Sequence, residues 1–124
     1  MIYISGPGVS RFLVETVSTP EALRLGLSNR KFLAPRNGML FIFPDVAVHS
    51  MWMKKMHFPL DIVWISSNNI ITKIYENIQP CYLDNNCKSY SSITPVLYGL
   101  ELNAFDAERM GLTVGKELKI HFNS

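Results

Sequence analysis

Several absences narrow the field before any motif is read. No apolar run approaches the roughly 20 residues needed to cross a bilayer as a helix. Twelve Lys and Arg stand against ten acids for a net charge of +2. They are scattered rather than gathered in a stripe interleaved with stacking aromatics, so nucleic-acid binding is not expected. The N-terminal MIYISGPGVSR has no basic leader ahead of a long apolar segment, so no signal peptide is read there. On that basis the chain is expected to be soluble and cytoplasmic by default. Cys81 and Cys87 stand six apart, outside any C-x-x-C redox or zinc spacing. No serine lies in a G-x-S-x-G context. Gly6-Pro7-Gly8 has no lysine-bearing helix behind it and reads as a turn, not a phosphate loop. His49, His57 and His121 show no helical ligand spacing, so no metal and no cofactor is expected, although His49, His57 and Asp61 could be drawn as a set.

What is present is a core. With 124 residues, 48% of them hydrophobic, the chain is read as one domain over 1–124. A chain of that length buries about two-thirds of its unfolded surface. The densest stretch is 38–65, which holds both tryptophans and four of the six methionines. Its apolar, aromatic and β-branched runs, cut by Pro44-Asp45 and by Lys54-Lys55…Pro59, predict strands over 39–43, 48–53 and 60–65. Alternation through 60–65 puts Leu60, Ile62 and Trp64 on one face and Asp61, Val63 and Ile65 on the other. A carboxylate on such a face is costly unless paired or hydrogen-bonded. Because the 55–59 connection is short, the two flanking strands are expected to form an antiparallel hairpin that sets Lys54 beside Asp61 as an ion pair. Trp52, on the Lys54 face, would floor any mouth opening there.

The remaining signals are shorter. Strands are expected over 2–5, 12–17, 70–75, 96–102 and 116–122. Thr19-Pro20-Glu21 opens a short helix with cap, first-turn proline and favourable acid in order, and Gly26 weakens it. Asn103 is expected to cap a second helix over 104–110 that stops at Gly111. Residues 77–95 read as a long connection, a length that is often functional or tied down. Seven or eight short strands with turns between them, and two short helices, predict a mainly β fold, a compact β-sandwich or barrel.

The motifs Arg24-Leu25-Gly26-Leu27…Arg30, Gly38-Met39-Leu40-Phe41-Ile42-Phe43, Trp52-Met53-Lys54, Pro59-Leu60-Asp61-Ile62, Glu76-Asn77…Pro80-Cys81, Tyr90 and Leu100-Glu101-Leu102-Asn103-Ala104 occur in this order. Together, over about 12–120, they resemble the domain of unknown function 192 family of small prokaryotic proteins. The resemblance implies a jelly-roll-like sandwich and no particular reaction. Met51 stands where an aromatic is common in that family, and Lys55-Met56-His57 replaces a different turn. Many members carry an export signal, which this chain does not show. Family members often have a cysteine pair like Cys81 and Cys87, a disulfide in an exported setting and thiols in a reducing one.

Candidate site residues follow from the rarity of polar groups in the matched motifs. Trp52, Lys54, Asp61, Glu76, Asn77, Tyr90 and Glu101 are taken as one face presented to a small polar ligand, a glycan or a peptide. Glu101 alternatively caps the helix that follows it. Met51, Met53 and Met56 read as adaptable core filler. The leading functional expectation is a non-enzymatic binding module for such a ligand; the partner is left open as a small ligand or a protein. A structural or assembly protein without a ligand site comes next, then a hydrolase using Asp61, Glu76 and Glu101 with Lys54.

Overall fold

The structure is a computed structural model that describes residues 1–82 and 87–122. β1 (Ile2–Gly6) and β2 (Val9–Val17) form an antiparallel hairpin. α1 (Pro20–Leu25) begins where the sequence places it: Thr19 Oγ1 accepts from the Ala22 N–H at 3.2 Å and Pro20 fills the first turn. It buries none of its six residues, but Leu27 just behind it is buried and anchors its exit. Then come β3 (Gly38–Ala47), β4 (Ser50–Trp52), β5 (Leu60–Ile65), β6 (Ile71–Ile78), β7 (Ser89–Ser91), β8 (Val96–Asn103), α2 (Asp106–Arg109) and β9 (Lys119–His121).

Seven strands make one curled half-barrel sheet in the order β6-β5-β8-β3-β2-β1-β9, and β4 pairs separately with β7. Only the β2–β3 pair of the large sheet is parallel. The fold is therefore mainly β, with nine strands and two short helices among the described residues. β7 is the strand the sequence did not show, lying inside what read as a long connection. β3 runs on through Pro44-Asp45, expected to end it. The register with β8 breaks between Ile42 and Ala47, so Pro44 falls where no ladder N–H is required.

Alternation on the central strands builds two cores, one on each face of the sheet. Leu60, Ile62 and Trp64 join Met39, Phe41, Met53 and Met56 on one side. Val63 and Ile65 join Ile4, Val14, Leu40, Leu100 and Leu102 on the other, under Ala107 and Met110 from α2 and its end. Close packing sets Gly99 on β8: a Cβ there would stand 2.5 Å from Met51 Cε and 3.0 Å from Trp64 Cζ3. The absent side chain is the space into which β4 packs.

The hairpin expected between 48–53 and 60–65 does not form. β5 lies between β6 and β8, with Val63 opposite Ile74 on one side and Leu100 on the other, whereas β4 sets Met51 opposite Tyr90 of β7. Burial decides this. All six β5 residues are buried and need sheet on both edges and core on both faces, whereas the three-residue β4 keeps Ser50 and Trp52 exposed. The second helix is also shorter than expected and begins differently. Its N-cap is Phe105, with φ of 71° and no side-chain cap bond, and the Asn103 Nδ2 instead donates to Leu33 O at 2.7 Å.

Candidate functional site

The two polar residues that the sequence pairs are held apart. Asp61 is fully buried on the α2 side of β5 and accepts three backbone N–H groups. Asn77 and Phe105 donate to Oδ1 at 2.8 and 3.1 Å, and Ala107 donates to Oδ2 at 2.9 Å. A buried carboxylate with three charge-assisted bonds needs no amine. The expected Lys54–Asp61 ion pair is accordingly absent, and Lys54 Nζ lies 5.5 Å from the centre of the Trp52 ring. Because β4 is not the neighbour of β5, register cannot bring the two together. Asp61 serves the fold: it takes up donors freed at the start of α2 and at the positive-φ residue Asn77.

Glu101 has the opposite character. On β8 it pairs across to Met39 on one side and Ile62 on the other, and faces the Phe41–Trp64 core. The capping role expected of it is performed by Asp61. Glu101 is 4% exposed, and its carboxyl makes no hydrogen bond or ion pair with any described residue. Burial pushes its carboxyl from 4.5 up to about 8. Such a group is costly for a fold to keep without a partner.

Glu101 lines an inner chamber of about 170 Å³ whose walls are otherwise largely apolar: Leu23 from α1, Phe41 and Phe43 from β3, Met51 and Trp52 from β4. Gly26 passes over it with φ of 49°; a Cβ there would stand 2.9 Å from Phe41 Cζ and 3.8 Å from Glu101 Oε1. Only glycine lets the chain leave α1 this close to the carboxyl. Arg24, Leu25, Ser28 and Trp52 also line a wider outer chamber of about 380 Å³, so the two open side by side along α1. The outer chamber adds Lys54, Lys55 and Glu21. Three cations there face one carboxylate, and none of the four joins an ion pair among the described residues. Trp52, 53% exposed, stands on the rim.

Of the seven residues singled out from sequence, Trp52, Lys54 and Glu101 meet at this cleft. Asp61 lies on the other side of the sheet. Glu76 and Asn77 are exposed at the end of β6. Tyr90 sits on β7 edge-on to Tyr75 at 5.3 Å, beside a separate shallow hollow with Met53, Gln79 and Lys88. Cys81 and Cys87 are joined as a disulfide, with Cα atoms 5.7 Å apart. Sequence reasoning missed Arg24, Ser28 and Lys55 as site residues and read Met51 as filler. The Arg24-Leu25-Gly26-Leu27 motif was the available signal, since an arginine beside a glycine that ends a helix marks close backbone approach. Trp64 Nε1 is buried without a hydrogen-bond partner among the described residues. His49 stacks on Phe43 at 3.9 Å, and His121 Nε2 is 2.9 Å from Ser5 Oγ. Among the described residues no group of three or more His, Cys, Asp or Glu is placed to hold a metal ion. No helix there is long and apolar enough to cross a membrane.

A small, mainly β protein with a two-chambered cleft is thus the class that fold and geometry define. The chain belongs to the domain of unknown function 192 family, described as "Uncharacterized ACR", whose family model matches residues 2–120. A proposed transcription regulator from Sinorhizobium meliloti has a similar structure. It has 34% sequence identity and a TM-score of 0.83, over 96% of this chain and 91% of that one. A protein of unknown function from Novosphingobium aromaticivorans is 25% identical with a TM-score of 0.82, over 95% of this chain and 82% of that one. No curated protein matches.

Proposed function

We propose that the protein is a non-enzymatic binding module whose small ligand enters the cleft between α1 and β4. One observation carries this reading: the Glu101 carboxyl is buried, without a partner among the described residues, and lines a chamber open toward solvent. A protein interior satisfies its polar groups, and an exception in a concave apolar site points to a group supplied from outside. The two chambers together fall within the roughly 300–1,000 Å³ of small-molecule sites. A hydrolase is less well supported, because its acids do not converge: Asp61 is bound to backbone on the far side of the sheet and Glu76 is exposed.

The test is a panel of small amines, amino acids, carboxylates and sugars, followed through the Trp52 indole resonance and by thermal unfolding. A ligand at ten times its Kd stabilises by about 1.4 kcal/mol, which raises Tm by about 4 °C for a chain of this size. At least one class should do so for the wild type and lose most of the effect in Glu101→Gln. If nothing in the panel moves the indole, or both proteins respond alike to every compound, the reading fails.

A further inference from the structure

We infer that the ligand is a small zwitterion, with its ammonium group against Glu101 in the inner chamber and its anionic group among Arg24, Lys54 and Lys55 in the outer one. This rests on the binding reading above and names its chemical class. The inner chamber sets Glu101 and Ser50, with Ser28 and Arg24 where it joins the outer chamber, against the apolar walls of Leu23, Phe41, Phe43 and Met51. A short alkyl ammonium arm matches it: the methylenes bury against Phe41, Phe43 and Met51, and the cation meets the one buried carboxyl that lacks a partner among the described residues. The outer chamber has the reverse excess. Three cations against Glu21 gather around Trp52 and Ser28 without an ion pair among the described residues, an arrangement that favours an anion. Arg24 and Trp52 line both chambers, so one compact molecule can satisfy both. A simple amine would leave the outer cations unused, and a simple acid would leave Glu101 unused.

Because Glu101 is held protonated by burial at neutral pH, an ammonium must displace its proton to form the ion pair. Affinity for such a ligand therefore rises with pH up to about 8, where Glu101 ionises unaided, and levels off beyond. The experiment is isothermal titration of the intact protein with ε-aminocaproate, n-hexylamine and caproate at pH 6, 7 and 8, in two buffers of different ionisation heat. Aminocaproate should bind at least tenfold more tightly than either one-ended analogue. Its Kd should fall about tenfold from pH 6 to 7, with one proton released. Glu101→Gln should abolish its advantage over caproate and flatten the pH dependence. Arg24→Ala, at an exposed helix position, should abolish its advantage over hexylamine. Equal affinity for all three compounds, or a Kd that ignores pH, overturns the zwitterion. If caproate or a panel sugar then binds in a Glu101-dependent way, the binding module survives without it. Silence across the probes and the wider panel removes both.

Discussion

Replacing Glu101 by glutamine keeps the shape of the side chain and removes its ionisation, so the substitution isolates what the buried acid costs. The unfolded chain gives up this proton near 4.5, whereas the folded chamber holds it until about 8. Between those values the folded state binds more protons than the unfolded state, so stability must fall as pH rises through that window. Below about 4.5 the contribution is intact, and above about 8 it is fully lost. Each pH unit within the window is worth about 1.4 kcal/mol, which gives a ceiling on the order of 5 kcal/mol across it. Water entering the chamber lowers that ceiling by solvating the carboxylate. Urea unfolding of both proteins from pH 5 to 9, with the disulfide intact, measures the difference directly, since all other titrating groups are shared. Glu101→Gln should match the wild type near pH 5, overtake it steadily, and exceed it by several kcal/mol at pH 8 and above. Parallel stability curves would show that the carboxyl is solvated or partnered in the folded state, and the case for the site would fall with them.

Three further substitutions probe the frame around the cleft. Asp61→Ala leaves the N–H groups of Asn77, Phe105 and Ala107 without their acceptor; the Ala107 bond is buried and the other two are half-buried, so at about 1–3 kcal/mol for a buried group and less where water reaches, the loss should be about 2–4 kcal/mol in urea. Asp61→Asn retains the Oδ1 acceptor and should lose less, with faster hydrogen exchange at Ala107 as its signature. Gly99→Val forces Met51 and Trp64 apart and should cost about 1–3 kcal/mol while shifting the Trp64 fluorescence; an unchanged midpoint would refute the packing between β4 and β8. Reducing Cys81–Cys87 opens a small ring and should lower stability by about 2 kcal/mol, leaving the fold intact by circular dichroism.

The residues of β5 show where sequence is sufficient. Leu60, Ile62 and Trp64 enter one core and Val63 and Ile65 the other, as a period of two dictates, and Asp61 lies on the face that alternation assigns to it. The cap of α1 is equally local, since Thr19 and Ala22 are three apart. Mainly β character and the family motifs were legible for the same reason: each depends on neighbours along the chain.

Partners distant in sequence were not legible. Asp61 is satisfied by backbone groups 16, 44 and 46 residues away, and N–H groups carry no residue identity that a sequence could display. Its charge suggested the nearest amine, Lys54, and strand pairing alone decided otherwise by lodging β5 between β6 and β8. The two acids exchange roles as a result: Asp61 holds the start of α2, and Glu101 is the one left facing a chamber. The sequence determines which residues must be buried and on which side of a strand they point. Which buried acid finds donors, and which is left open to a visitor, depends on how the strands are ordered across the sheet, and that is set only when the whole chain packs.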